Sequence, residues 1–73
     1  MQLTQRELQV TQLLAEGFTN AEISNLLNIS PRATKHRLAT IFKKLGVDNR
    51  TEALGRAVAL GLVTIDPTQS ASD

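Results

Sequence analysis

The chain has 73 residues, which is enough for one small domain. An apolar share of 41% suits a globular fold, and the absence of cysteine excludes a disulfide scaffold, a thiolate zinc site and a cysteine nucleophile. No apolar run approaches the roughly 18 residues of a membrane span and no signal peptide is present, so we expect a cytoplasmic protein.

Two helices with the same kind of start are predicted in the first half of the chain. Thr4 and Glu7 have the spacing of a capping box, and Thr19 and Glu22 repeat it. The first helix has an apolar face and ends at a glycine, with Val10, Leu13, Leu14 and Gly17 at these positions. The second helix is short, running from 20 to about 28. Its predicted inward positions are Ile23, Leu26 and Leu27.

The third predicted helix carries most of the positive charge. Ser30 and Pro31 suit its N-cap and first position, and Gly46 suits its end. Residues 30–45 contain five of the eight Lys and Arg residues, the single His and no acidic residue. At about 100° per residue, one face is predicted to be buried, and it consists of Pro31, Thr34, Leu38, Ile41, Phe42 and Leu45. The Thr34 hydroxyl is expected to reach the Ser30 carbonyl.

A fourth helix is predicted after a cap formed by Asn49 and Glu52. Its apolar members lead to Gly61 and are Ala53, Leu54, Ala57, Val58 and Leu60. Leu62, Val63 and Ile65 are expected to fold back against it. We therefore predict an all-α domain over residues 1–65, a four-helix bundle, followed by a flexible tail over 66–73.

The second and third helices are joined by only a few residues, and the second of the pair is the basic one. This arrangement is typical of a helix-turn-helix, whose second helix enters the major groove of DNA. An α-helix is about as wide as the major groove of DNA. Cations on its exposed side can bind the flanking phosphates.

The chain resembles LuxR/GerE-type DNA-binding domains from about Leu3 to Leu62. The residues that carry the resemblance are Leu3-Thr4, Arg6-Glu7, Leu14, Gly17, Asn20, Glu22-Ile23, Leu27, Ile29-Ser30, Lys35, Ile41, Lys44-Leu45-Gly46-Val47, Arg50 and Glu52-Ala53. The resemblance implies a four-helix module of a bacterial transcription regulator, of the kind found in response regulators and quorum-sensing receptors. It also implies that the third helix reads the major groove and that the fourth makes a dimer contact.

The recognition helix departs from the pattern of that family. This chain has Ala33, Thr34, Lys35, His36 and Arg37 where the family usually has Thr, Val, Lys, a variable residue and His. Thr11 also stands where Leu is usual. These differences are compatible with the fold, but no base preference can be transferred from the family.

A set of DNA-contacting residues follows from the helical wheel together with the resemblance. We expect Lys35 and His36 to approach base edges and Ala39 to contact a thymine methyl group or to allow close approach. Arg32, Lys43 and Lys44 are expected to bind phosphates, as is the start of the second helix. The whole set of expected DNA-binding residues is Thr19, Asn20, Arg32, Lys35, His36, Arg37, Ala39, Thr40, Lys43 and Lys44. The alternative is a merely solvated helix face, and for Arg37 the two alternatives remain equal.

Two structural roles are also predicted. The resemblance implies that Glu7 and Arg50 form a pair tying the first helix to the start of the fourth, the alternatives being capping for Glu7 and a phosphate contact or solvation for Arg50. Small residues on the fourth helix suggest a homodimer, with Ala53, Leu54, Ala57 and Val58 as the predicted interface. The alternative is a helix of small residues that has no partner.

No chemistry beyond binding is expected. His36 has no cysteine or acidic neighbour on its face, so a metal site and a His-based catalytic pair both lack members, and we expect no enzyme and no cofactor. The expected partners are double-stranded DNA, a second copy of the chain and, as a further candidate, RNA polymerase, with no membrane and no small-molecule ligand.

Three alternatives bear on the identity of the chain. A sigma-factor DNA-binding region has a similar helix-turn-helix but usually ends soon after the recognition helix. A small helical adaptor would use the basic face on an acidic protein. The chain is either a stand-alone regulator or a piece of a longer one, and we expect the piece.

Overall fold

The computed structural model describes residues 3–64, and four helices lie within them. They are α1 (Gln5–Ala15), α2 (Asn20–Leu27), α3 (Pro31–Leu45) and α4 (Arg50–Ala59). No strand occurs in this part of the chain. The all-α prediction and the α2-turn-α3 arrangement are confirmed, whereas the predicted boundary at residue 65 and the tail over 66–73 lie outside the described residues.

Each helix begins at the cap predicted from the sequence. In the α1 capping box the Glu7 amide donates to Thr4 Oγ1 over 3.1 Å, and the Thr4 amide donates to Glu7 Oε1 over 2.8 Å. The same reciprocal pair links Thr19 and Glu22 at α2. The remaining two helices are capped by single side chains, Ser30 for α3 and Asn49 for α4. The boundaries are therefore set by local hydrogen bonds that satisfy otherwise unpaired amides.

Helix α3 lies at the centre of the bundle and contacts the other three helices. The central cluster of the buried core consists of Val10, Leu14, Ile23, Leu38, Ile41, Leu45 and Ala53, and Ala57 and Val63 are buried as well. Gly46 ends α3 in the left-handed region at φ 72°, which lets the chain turn back towards α4. Because α3 supplies three of these core residues, its orientation is fixed by the same packing that stabilises the domain.

The prediction for α2 was wrong at one position. Leu26 was expected to face inward, yet it is 56% exposed. The inward stripe of α2 instead runs through Ile23, Ser24 and Leu27, with Ser24 only 4% exposed. Ser24 bonds to α3 through its hydroxyl, so α2 is rotated with Leu26 towards solvent.

The segment after α4 folds back onto the domain as predicted. Leu62 packs against the core and Val63 is buried, while Ile65 lies outside the described residues. The side-chain amide of Gln12 on α1 donates to the Thr64 carbonyl over 3.0 Å and accepts from the Thr64 amide over 3.1 Å. This two-bond bridge, which the sequence did not predict, fixes the segment beside α1.

The predicted pair between Glu7 and Arg50 does not form. Glu7 Oε1 accepts from Lys44 Nζ at 2.8 Å, so α1 is tied to the end of α3 instead. Arg50 faces the start of α2 and takes other partners. The hydrogen bonds from Lys44 and from the Thr4 amide lower the pKa of the Glu7 carboxyl, against the opposing effect of its burial.

Protonation of Glu7 is expected to destabilise the domain. Because its folded-state pKa lies below the ordinary value of 4.5, the stabilisation is complete above that pH and is lost as pH falls through the folded-state pKa. Denaturant midpoints measured from about pH 7 to about pH 3 should fall further for the wild-type chain than for Glu7→Gln.

Glu22 provides the matched control, since it forms the same capping box without an ion pair among the described residues. A Glu22→Gln chain should keep more of the wild-type pH dependence than Glu7→Gln does, because it leaves the ion pair between Glu7 and Lys44 intact. If Glu7→Gln kept as much of it as Glu22→Gln, the Lys44 ion pair would not be the source of the effect.

Candidate nucleic-acid interface

One side of α3 is polar and faces solvent. The buried side holds Thr34, Leu38, Ile41 and Leu45, and the exposed residues opposite them are Arg32, Lys35, His36, Ala39 and Lys43. The helix contains no carboxylate that would neutralise these cations. A rigid helix is thus held by its apolar side while its basic side remains accessible, as binding to a nucleic acid requires.

Arg37 lies on the flank of this face, towards α1. It is half-buried and lines a shallow depression together with Glu7, Ala33, His36 and Thr40. Its Nε has no hydrogen-bond partner among the described residues. The Arg37 side chain is therefore partly shielded by the protein, unlike the exposed cations beside it.

Lys44 differs from the other predicted phosphate contacts. Its ammonium already pairs with Glu7, and its side chain is 32% exposed. Lys43, one residue earlier, is exposed and has no ion-pair partner among the described residues. Of the two neighbouring lysines, Lys43 is the one whose charge is available to a ligand.

The start of α2 is bound to the start of α4 through Arg50. Arg50 Nη1 donates to Asn20 Oδ1 over 3.3 Å, and Nη2 donates to the Phe18 carbonyl. Thr19 Oγ1 accepts from the Glu22 amide, so its hydroxyl oxygen serves as a cap. Thr19 and Asn20 are both exposed beside the Arg50 guanidinium. Sequence reasoning missed this contact, because nothing in the spacing of Arg50 indicates a partner thirty residues earlier.

The predicted dimer interface on α4 needs correction. Ala53 and Ala57 are fully buried in the domain's own core, so neither can contact a second chain. Leu54 is half-buried against that core, and Val58 is 44% exposed. The exposed side of α4 contains Thr51, Glu52, Gly55, Arg56, Val58 and Ala59. Of the four predicted interface residues, only Val58 lies on the exposed side of α4.

Neither a metal site nor a membrane-spanning helix occurs among the described residues. Residues 3–64 hold no group of three or more His, Cys, Asp or Glu side chains arranged for a metal ion. No helix in the described part is long and apolar enough to cross a membrane.

The fold and the exposed basic helix define a helix-turn-helix DNA-binding domain. Residues 1–57 match the family described as bacterial regulatory proteins, luxR family. The chain therefore belongs to the luxR family: it is a DNA-binding domain of a transcription regulator, not an enzyme. The sigma-factor alternative is set aside by this match, which extends through α3 into α4.

Similar proteins include two transcriptional regulatory proteins of Bacillus subtilis. The chain is 42% identical over 65 residues to the transcriptional regulatory protein YdfI of Bacillus subtilis (strain 168), covering 89% of this chain and 30% of that protein. It is 46% identical over 52 residues to the transcriptional regulatory protein ComA of the same organism, covering 71% of this chain and 24% of ComA. The chain thus spans a third or less of the length of these two relatives.

Solved structures agree with the fold. The transcription factor GerE superposes with a TM-score of 0.82 at 33% identity, covering 88% of this chain and 96% of that one. The DNA-binding domain of the response regulator ComA, solved in complex with the anti-activator RapF, superposes with a TM-score of 0.76 at 45% identity, covering 77% and 97%.

Replacing Arg50 by Ala is expected to destabilise the domain by about 1–2 kcal/mol, because the Phe18 carbonyl loses a charge-assisted hydrogen bond. Arg50→Lys should recover part of the loss. The free energy of unfolding from urea titration measures both. Unchanged stability in Arg50→Ala would contradict the structural role and leave a phosphate contact or solvation for Arg50.

Proposed function

We propose that this domain binds specific sequences in double-stranded DNA with α3 in the major groove. The observation that carries the proposal is the division of α3 into a buried apolar side and an exposed cationic side. Membership of the luxR family agrees with it. The first turns of a recognition helix contact base edges, and here they carry Lys35 and His36.

Different residues are proposed for specificity and for affinity. Lys35 and His36 donate to guanine acceptors, while Ala39 is small enough to let the helix approach a thymine methyl group. Arg32 and Lys43 bind phosphates at the two ends of the face, and Thr19 and Asn20 bind one at the start of α2. Arg37 and Thr40 contact the backbone on the α1 side. Lys44 contributes least, because its charge is shared with Glu7.

The proposal is tested first by selecting bound sequences from a randomised duplex library. Recovery of a repeated motif, bound more weakly as salt rises, is the expected result. Salt-dependent binding without an enriched motif would mean that this domain alone has no specificity. No binding even at low salt would contradict the proposal and favour a protein-interaction module.

Replacing both Lys35 and His36 by Ala should separate specific from non-specific binding. Each good base contact contributes about 1–3 kcal/mol of discrimination, so affinity for the selected site should fall while affinity for unrelated DNA changes little. Titrations of both duplexes at two salt concentrations measure the difference. An equal loss on both duplexes would mean that these side chains bind phosphates.

Lys43→Gln is the matched comparison. It should weaken binding to both duplexes equally. The slope of log affinity against log salt concentration should become shallower by about one unit. Arg56→Gln, which removes a cation from α4 and not from α3, should leave the salt slope unchanged.

We also propose that two copies bind repeated half-sites and pair through the exposed side of α4. The support comes from Gly55, which lies in the middle of α4. A Cβ at this position would meet nothing within 4 Å, so the domain itself gives no steric reason for glycine. Glycine in a helix interior costs about 0.5–1 kcal/mol relative to Ala. Close approach of a second α4 across Thr51, Gly55, Val58 and Ala59 provides a reason.

Substitutions on this side of α4 should separate pairing from folding. Gly55→Ala should raise the free energy of unfolding of the isolated domain, by up to about 1 kcal/mol, whereas Val58→Glu should abolish paired binding to the repeated site with little change in stability. Sedimentation and the stoichiometry on DNA measure pairing. Leu26→Glu on α2 is the control, since Leu26 is also an exposed large apolar residue but lies on another helix. A Val58→Glu chain that still pairs would remove α4 from the interface.

A further inference from the structure

A pair of buried hydroxyl groups joins the two helices of the helix-turn-helix. Ser24 on α2 is 4% exposed, Thr34 on α3 is fully buried, and their oxygens are 2.7 Å apart. Ser24 Oγ is also 2.8 Å from the Asn20 carbonyl, and Thr34 Oγ1 is 3.3 Å from the Ser30 carbonyl. The three contacts connect the first turn of α2 to the N-cap of α3.

Counting the hydroxyl protons shows which of these contacts is always a hydrogen bond. Two hydroxyls supply two protons for three contacts, so one contact is unprotonated at any moment. The contact between Ser24 and Thr34 is the shortest, and without a proton it would bring two lone pairs together. One proton therefore lies between the helices, and the other goes to one of the two carbonyls. The Ser30 carbonyl is not left unpaired, because it also accepts from the Thr34 amide over 3.0 Å.

The position of this bond along α3 gives it a function. The buried residues of α3 are Thr34, Leu38, Ile41 and Leu45, so Thr34 is the only one in the first turn of the helix. Apolar packing of the later three leaves that turn free to rotate or shift slightly, whereas a short hydrogen bond has a narrow range of distance and angle. Lys35 and His36 follow Thr34 directly in α3, so a shift of the backbone at Thr34 moves them as well.

We propose that Ser24 and Thr34 are positioning residues for DNA recognition: their hydroxyl pair fixes the first turn of α3 relative to α2 and so sets where the base-contacting side chains lie. The inference rests on the proposed function, since it assumes a specific DNA site. It assigns part of the sequence discrimination to two residues that do not touch DNA.

The test uses small substitutions that remove one hydroxyl and leave no buried group unpaired. In Thr34→Val the Ser24 hydroxyl still has the Asn20 carbonyl, and in Ser24→Ala the Thr34 hydroxyl still has the Ser30 carbonyl. Because one hydrogen bond is lost and no buried group is left unpaired, the domain should stay folded with only a modest loss of stability. The ratio of specific to non-specific affinity should fall by about tenfold, as expected when a base contact is displaced. The double variant should lose no more than either single one, because all three remove the same contact.

Two further variants make the test specific. Thr34→Ser retains the hydroxyl and should keep most of the discrimination. Thr11→Val removes another fully buried hydroxyl, one that donates only to the Glu7 carbonyl within α1 over 2.7 Å, and should leave the ratio unchanged.

The outcomes separate the two proposals. An unchanged affinity ratio in both Ser24→Ala and Thr34→Val, or additive losses in the double variant, would overturn the positioning role while leaving DNA binding intact. If Thr34→Val does not fold, the affinity ratios of Ser24→Ala and Thr34→Ser test the positioning role instead. A wild-type chain that binds no sequence specifically would instead refute the proposed function.

Discussion

The buried side of α3 is the constraint on which the rest of the structure depends. Leu38, Ile41 and Leu45 lie in the middle of the bundle, and the other three helices pack around them. Any rotation that exposed these residues would lose apolar burial of roughly 1.5–3 kcal/mol for each large side chain. The same packing keeps the cationic side outward, so fold stability and ligand presentation depend on a single helix.

Apolar packing alone leaves the relative orientation of the helices loosely determined. Polar contacts at the helix ends fix that orientation more narrowly. Glu7 joins the start of α1 to Lys44 near the end of α3, and Arg50 joins the starts of α4 and α2. The Ser24–Thr34 hydroxyl pair does the same for the start of α3. Since helix ends carry unpaired backbone groups, they are the places where a small domain gains most from directed hydrogen bonds. Such contacts also distinguish one relative orientation of two helices from its near neighbours.

Local features of the fold were predictable from the sequence, whereas contacts between distant residues were not. Helix caps are determined by residues only a few positions apart in the sequence, so all four helix starts were predicted correctly. Leu26 was misassigned because α2 is too short for its hydrophobic periodicity to define which side faces inward. Ser24 occupies the buried position instead. Ala53 and Ala57 were misassigned because small residues suit a tight core as well as an interface. The ion-pair partner of Glu7 was wrong because several cations were available and only the packing of α1 on α3 selects Lys44.

The most direct test of the central claim is methylation interference on the selected site. Methylation of guanine N7 blocks the major groove, whereas methylation of adenine N3 blocks the minor groove. If the exposed side of α3 reads DNA as proposed, guanine N7 methylation within each half-site will prevent binding and adenine N3 methylation will not. Binding that tolerates N7 methylation throughout, or that is lost only with N3 methylation, would contradict recognition by α3 in the major groove.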